Sequence, residues 1–150
     1  MKITDALRGE HALLYSQFAR IEEAASREED AGRVRGWVGL LQAAIVSHAQ
    51  LEETLLFEQL EPRFGGGGPL EAMHEDHNQI EEALRVAAET EDVAEARQQL
   101  ERAVGTARDH FAREEQMLFG MAERSLSDET LERLGQEWAE KRNVHLPMGR

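Results

Sequence analysis

Apolar residues recur along most of the chain in alternating steps of three and four, the spacing of one face of an α-helix. Leu7, Leu14, Phe18 and Ile21 form a first stripe. Trp37 or Val38, with Leu41, Ile45 and Leu55, form a second. Leu70, Met73, Ile80, Leu84 and Ala87 form a third. Val93, Ala96, Leu100, Ala103, Ala107, Met117 and Met121 form a fourth. Nowhere does the chain sustain the apolar–polar alternation of a half-buried strand. Valine and isoleucine together number 11, whereas Ala, Leu, Glu, Gln and Arg, all good helix formers, dominate.

The residues that interrupt helices are clustered. Breaks fall at Ser26 to Gly32, Gly65 to Pro69, Thr90 to Asp92 and Ser125 to Asp128. Five helices are predicted between them, at about 4–27, 33–61, 69–89, 92–123 and 127–143. Thr4 and Asp92 suit helix caps, and Pro69 suits a first helical turn. The expected fold is all-α: an up-down antiparallel four-helix bundle over about 4–123, because short connections make neighbours antiparallel. An additional C-terminal helix carrying Leu131, Leu134 and Trp138 would pack outside it. The glycine run is short enough to be a loop within one domain, so residues 1–150 are read as a single domain.

Composition narrows the function. The 150 residues contain no cysteine, which removes disulfides, thiolate metal sites and cysteine nucleophiles. The net charge of −13 is spread along the chain and would repel a phosphate backbone or an anionic membrane. No nucleic-acid or membrane partner is therefore expected. The charge-rich opening segment has no apolar run of signal-peptide or membrane-span type, and a soluble cytoplasmic protein is the expectation.

The informative residues are polar ones that fall inside the apolar stripes. The register 7, 11, 14, 18 turns His11 inward. The register 41, 45, 48, 52, 55 does the same for His48 and Glu52, and 70, 73, 77, 80, 84 for His77. The register 103, 107, 110, 114, 117, 121 turns in His110 and Glu114. A single inward histidine is ordinarily a hydrogen-bonded core residue. An inward glutamate needs a partner or a proton, and no Lys or Arg shares these stripes near Glu52 or Glu114. Four imidazoles and two carboxylates converging from four helices suit a bound cation, which needs neutral nitrogen and accepts carboxylate charge. An internal hydrogen-bond network in a metal-free interaction bundle is the alternative. No Ser or Thr nucleophile lies in these registers, so no catalytic residue is assigned.

The two halves also repeat. HAQLEETLLF at 48–57 matches HFAREEQMLF at 110–119 in the His, both Glu, the Leu and the Phe. Glu10-His11 matches Asp76-His77. A two-fold arrangement of such halves places two metal positions side by side. His and Glu four residues apart share a helix face and reach one centre. Glu52 and Glu114 would then bridge ions about 3.5–4 Å apart, the usual spacing of two-metal sites. Glu53 and Glu115 fall beside the stripes and are expected to be solvated. Mixed carboxylate and imidazole ligands suit iron, and also Mn and Zn.

His11, His48-x3-Glu52, His77 and His110-x3-Glu114, in this order across about residues 5–121, resemble the hemerythrin-like family, also called the HHE cation-binding domain. The resemblance implies a carboxylate-bridged non-haem di-iron centre with two Fe ions. It implies a protein that binds or senses O2, NO or a related small oxidant such as peroxide, or that handles iron. It also implies the alternative of a redox enzyme: peroxide or NO reduction, or repair of iron–sulfur centres under oxidative or nitrosative stress. The family's oxygen carriers use His-x3-His on the third helix and His-x4-Asp on the fourth. Here the third helix has His74 and His77, and the fourth has His-x3-Glu. Four histidines with two glutamates are closer to the stress-repair subgroup, whose members often carry a cysteine-containing segment.

His74 lies one step off the register and is read as an extra ligand, a neighbour of the ligands or a solvated residue. Tyr15, one turn after His11, either leans toward the site or packs beside it. Phe57, Phe119 and Trp37 are read as core and Trp138 as a cover on the bundle. His145 is assigned no role. The Gly65–Gly68 loop lacks the Lys-Ser or Lys-Thr of a phosphate loop.

Overall fold

The computed structural model describes residues 1–147, and all regular structure among them is helical. Helix α1 is Ile3–Ser26. Helix α2 runs over Ala31–Glu52, passes through a π-helical turn at Glu53–Phe57 and ends as Glu58–Phe64. Helix α3 is Pro69–Glu89. Helix α4 runs over Val93–Arg113, passes through a second π turn at Glu114–Leu118 and ends as Phe119–Ser125. Helix α5 is Asp128–Arg142. Among the described residues, no helix is long and apolar enough to cross a membrane.

Local chemistry explains the helix starts. Asp30 accepts hydrogen bonds from the backbone N–H groups of Gly32 and Arg33, and Asp92 does so from Ala94 and Glu95. Ser127 caps α5 through the Thr130 N–H. These side chains satisfy donors that the first turn leaves free. Pro69 opens α3, where its missing N–H costs nothing. Thr4 is not a cap, contrary to expectation. The Lys2 N–H is taken by Asp5 at 3.1 Å, so the chain is already helical at Ile3. Thr4 is therefore free to donate its hydroxyl to Glu123 on α4 at 2.7 Å.

The π turns correct the expected stripe of α4. An i→i+5 turn inserts an extra residue and rotates everything that follows. Leu118 and Ala122 are buried in place of Met117 and Met121; Met117 is 41% exposed. In α2 the same device turns Leu55, Leu56, Phe57 and Leu60 into the core. Thr54, within the π turn, donates its hydroxyl to the Gln50 carbonyl at 2.8 Å.

Helices α1 to α4 pack as a bundle, with α1 against α2 and α4, and α3 against α2 and α4. Their apolar side chains form two clusters. One is built on Phe18, Leu41, Ile45, Leu84 and Leu100. The other is built on Leu7, Leu56, Phe57, Met73 and Phe119, and α5 adds Leu131 and Leu134 to it. Burying each of these large side chains is worth about 1.5–3 kcal/mol. Between the clusters lie the polar positions 11, 48, 52, 77, 110 and 114, all buried. Trp37 is half-buried against the first cluster and Trp138 against the second.

Helix α5 reaches the bundle at one close approach. A Cβ on Gly135 would overlap the Met1 carbonyl oxygen, so α5 can lie against the N-terminus only with glycine there. Gly105, by contrast, is exposed in the middle of α4 with open space around it. Gly135→Ala should lower stability by about 1–3 kcal/mol, whereas Gly105→Ala should raise it by about 1 kcal/mol. Urea unfolding followed by circular dichroism measures both.

Candidate metal centre

Each helix of the bundle contributes one histidine to a single buried layer, and α2 and α4 each add a glutamate one turn later. His11, His48, Glu52 and Glu114 offer atoms that all lie within 4.8 Å of one another, as do Glu52, His77 and His110. All six residues singled out in the sequence are thus brought together, and Glu52 belongs to both groups. Glu114 also bridges the two halves: its Oε1 lies 3.7 Å from His11 Nε2 and 2.8 Å from His110 Nε2.

The imidazoles are paired by their inner nitrogens. His11 Nε2 and His48 Nε2 are 3.2 Å apart, and His77 Nε2 and His110 Nε2 are 2.9 Å apart. Every outer nitrogen faces a carboxylate. His11 Nδ1 lies 2.8 Å from Glu115 and His77 Nδ1 lies 2.9 Å from Glu53. His48 Nδ1 lies 2.6 Å from Glu10 and His110 Nδ1 lies 3.1 Å from Asp76. A carboxylate accepts, so each Nδ1 carries the proton and each Nε2 presents a lone pair inward. Facing lone pairs repel unless a proton or a cation lies between them.

The two inner glutamates fit the same conclusion. Both are fully buried, and none of their four oxygens accepts a hydrogen bond from a described residue. Buried carboxylate oxygens without donors are costly. In each imidazole pair the two inner nitrogens stand close enough together to face one ion. The donor set, the facing lone pairs and the unpartnered oxygens therefore fit metal cations.

The surroundings set the protonation states. Burial, helped by the neighbouring His48, pushes the His11 imidazole down to about 3, so it is neutral at pH 7. Burial would lower His77, yet Glu52 and Glu53 together raise it. Burial also opposes ionisation of Glu10, and hydrogen bonds from His48, Arg142 and Trp138 prevail, holding it at about 2.

Aromatic rings close the layer. Phe111 stacks on His11 with ring centroids 3.9 Å apart, and Phe57 stacks on His77 at 5.8 Å. Phe119, which matches Phe57 in the repeat, lies 5.5 Å from His11. Tyr15 is half-buried and packs edge-on against His11, Phe18 and Phe111. His74 lies outside both groups: its ring is 40% exposed and its Nδ1 is 3.4 Å from Glu53. His145 is exposed.

Glu53 and Glu115 correct the sequence reading. They are partly exposed, but each holds a histidine of the opposite half rather than standing free in water. Glu10 and Asp76 were missed altogether as partners of His48 and His110. The signal was present: the repeat aligns Glu10 with Asp76 and Glu53 with Glu115, acids at matching places beside the site residues.

The family model of the hemerythrin HHE cation-binding domain matches residues 2–122, and matches again over 69–144. The second match starts at Pro69, where the second helix pair begins. Comparison with curated proteins and with solved structures found no match.

The contribution of Glu10 to stability follows from its depressed pKa. It is complete above the ordinary value of 4.5 and is lost as pH falls toward about 2. Glu10→Gln in metal-free protein should cost about 2 kcal/mol at pH 6, and the gap should close as the pH approaches 2. Denaturant unfolding across that pH range is the measurement.

Proposed function

Because the chain belongs to the hemerythrin HHE cation-binding domain family, we propose that it holds a carboxylate-bridged pair of iron ions that binds or senses O2, NO or a related small oxidant, or handles iron. The observation that carries this reading is the pair of buried, unpartnered carboxylates between two imidazole pairs. His11 and His48 would hold one ion and His77 and His110 the other, with Glu52 and Glu114 between them. Iron at such a site supplies reversible electron transfer to a small ligand. Four nitrogens and two carboxylates, with no further member of either group among the described residues, leave room for that ligand.

The protein's own residues have definable tasks. Glu10, Asp76, Glu53 and Glu115 hold the four Nδ1 protons and so fix the tautomer and direction of each ring. Phe111, Phe57 and Phe119 keep bulk water off the imidazoles. The two apolar clusters above and below the polar layer do the same along the bundle. The connections between α1, α2, α3 and α4 are short, which supports an up-down antiparallel arrangement within one domain.

Glu52→Ala or Glu114→Ala should lose most of the bound metal, as read by metal analysis of purified protein. The reading is wrong if both variants keep two ions per chain. Neutral imidazole is the binding form and the Glu52 and Glu53 carboxylates raise His77, so protons compete with metal at that ring first and uptake should weaken as pH falls. Anaerobic Fe(II) titrations at pH 7.5 and 5.5 test that direction. A near-ultraviolet spectrum that bleaches on reduction and returns in air is the expected optical signature.

A further inference from the structure

The site repeats from one half of the chain to the other, but the matched acids Glu10 and Asp76 are held by different partners. Asp76 holds His110 through a single shared oxygen: Oδ2 accepts from His110 Nδ1 at 3.1 Å and from Arg113 at 2.5 Å. Arg113 lies on α4, the helix that carries His110. Glu10 instead divides its two oxygens. Oε2 accepts from His48 Nδ1 at 2.6 Å. Oε1 accepts from Trp138 Nε1 at 2.8 Å and from Arg142 Nε at 2.6 Å. Trp138 and Arg142 both lie on α5. Arg142 also donates to Ser47, the residue before His48, at 2.6 Å.

Helix α5 follows the second helix pair, and the first pair is followed only by the Gly65–Gly68 loop. The repeat therefore explains every carboxylate–imidazole pair of the site but not the two donors that α5 places on Glu10. These donors hold one carboxylate oxygen and so aim the other at His48. Without them Glu10 is free to turn toward water. His48 then loses the acceptor that fixes its tautomer and directs its Nε2 inward.

We infer that α5 is a positioning element for one of two unequal metal positions, the one formed by His11 and His48, and acts on it through Trp138, Arg142 and Glu10. The inference rests on the two-ion reading above. Trp138 and Arg142 are positioning residues, since an indole N–H and a guanidinium donate hydrogen bonds and offer no lone pair to a metal. Loss of the acceptor held by a ligating histidine weakens metal binding by about 10–100-fold, and His48 loses that acceptor when Glu10 turns away. Helix α5 is anchored independently of them. Leu131 and Leu134 are buried in the apolar cluster, Gly135 lies against Met1, and Lys2 pairs with Asp128 at 2.7 Å. Changes at its C-terminal end therefore leave the helix docked.

The test is an anaerobic Fe(II) titration of the full chain, the double variant Trp138→Phe with Arg142→Met, and Arg113→Met. The unaltered chain should take up two ions. In the double variant one ion should bind at least about tenfold more weakly, with the other unchanged. Nitrogen-resolved NMR of the Zn(II)-loaded protein identifies the position. The Nδ1–H signal of His48 should broaden or vanish in the double variant while that of His110 persists, and Arg113→Met should show the reverse. Trp138→Phe alone removes one N–H with little loss of packing and should give the same selectivity in smaller degree; it serves if the double variant folds poorly. Two ions bound with unchanged affinity, or both weakened equally, would overturn the inference while leaving the two-ion reading intact. Fewer than two ions in the unaltered chain would overturn the two-ion reading itself, and this inference with it.

Discussion

Two carboxylates are buried at the centre of this protein with no hydrogen bond from a described residue to any of their oxygens, and the rest of the site is arranged around that constraint. An apolar interior does not accept two such charges unaided. Nor does it contain a lysine or arginine to pair with them, because the basic residues near the layer lie outside it. Arg113 and Arg142 end on Asp76 and Glu10, not on Glu52 or Glu114. The inner faces of the four imidazoles carry lone pairs, since their protons are directed to the outer carboxylates. Negative charge and lone pairs alone are left inside. A family whose members bind cations supplies the missing term.

The bundle can carry this layer because apolar packing is complete on either side of it. Phe18, Leu41, Ile45 and Leu84 close one end, and Leu7, Leu56, Phe57 and Phe119 close the other. The π turns sit where one requirement gives way to the other. Up to Glu52 and Glu114 the helices keep a face that presents His and Glu one turn apart. Beyond them the face must turn to bury Phe57 or Leu118. One extra residue per turn produces that rotation without breaking either helix. The adjacent acids Glu53 and Glu115 then reach across to the first histidine of the opposite half.

The internal repeat sets most of this geometry, and α5 modifies it. In each half, the acid preceding the first histidine holds the second histidine, and the acid after the inner glutamate holds the first histidine of the other half. The scheme uses five matched positions twice over, so two halves of unequal sequence build one nearly symmetric layer. Among the described residues, helix α5 hydrogen-bonds toward the layer through Glu10 and through Ser47 beside His48. The fold's one element outside the repeat is thus coupled to one side of the site by hydrogen bonds and to the bundle by apolar contact.

The sequence by itself determined the helices, the breaks between them and the six polar residues of the inner layer. Those features depend on local periodicity and on the rule that an inward acid needs a reason, and both can be read residue by residue. Asp92 and Pro69 mark helix starts for the same local reason. Tertiary structure decided what lies around the layer. Glu53 and Glu115 sit off the apolar stripe, where periodicity assigns them to water, but a neighbouring helix brings His77 and His11 within reach. Glu10 joins Trp138 and Arg142 across more than a hundred residues, a pairing that no local spacing encodes. Met117 moved outward because the π turn slips the register, and such a turn is selected by packing at both of its ends rather than by the residues within it.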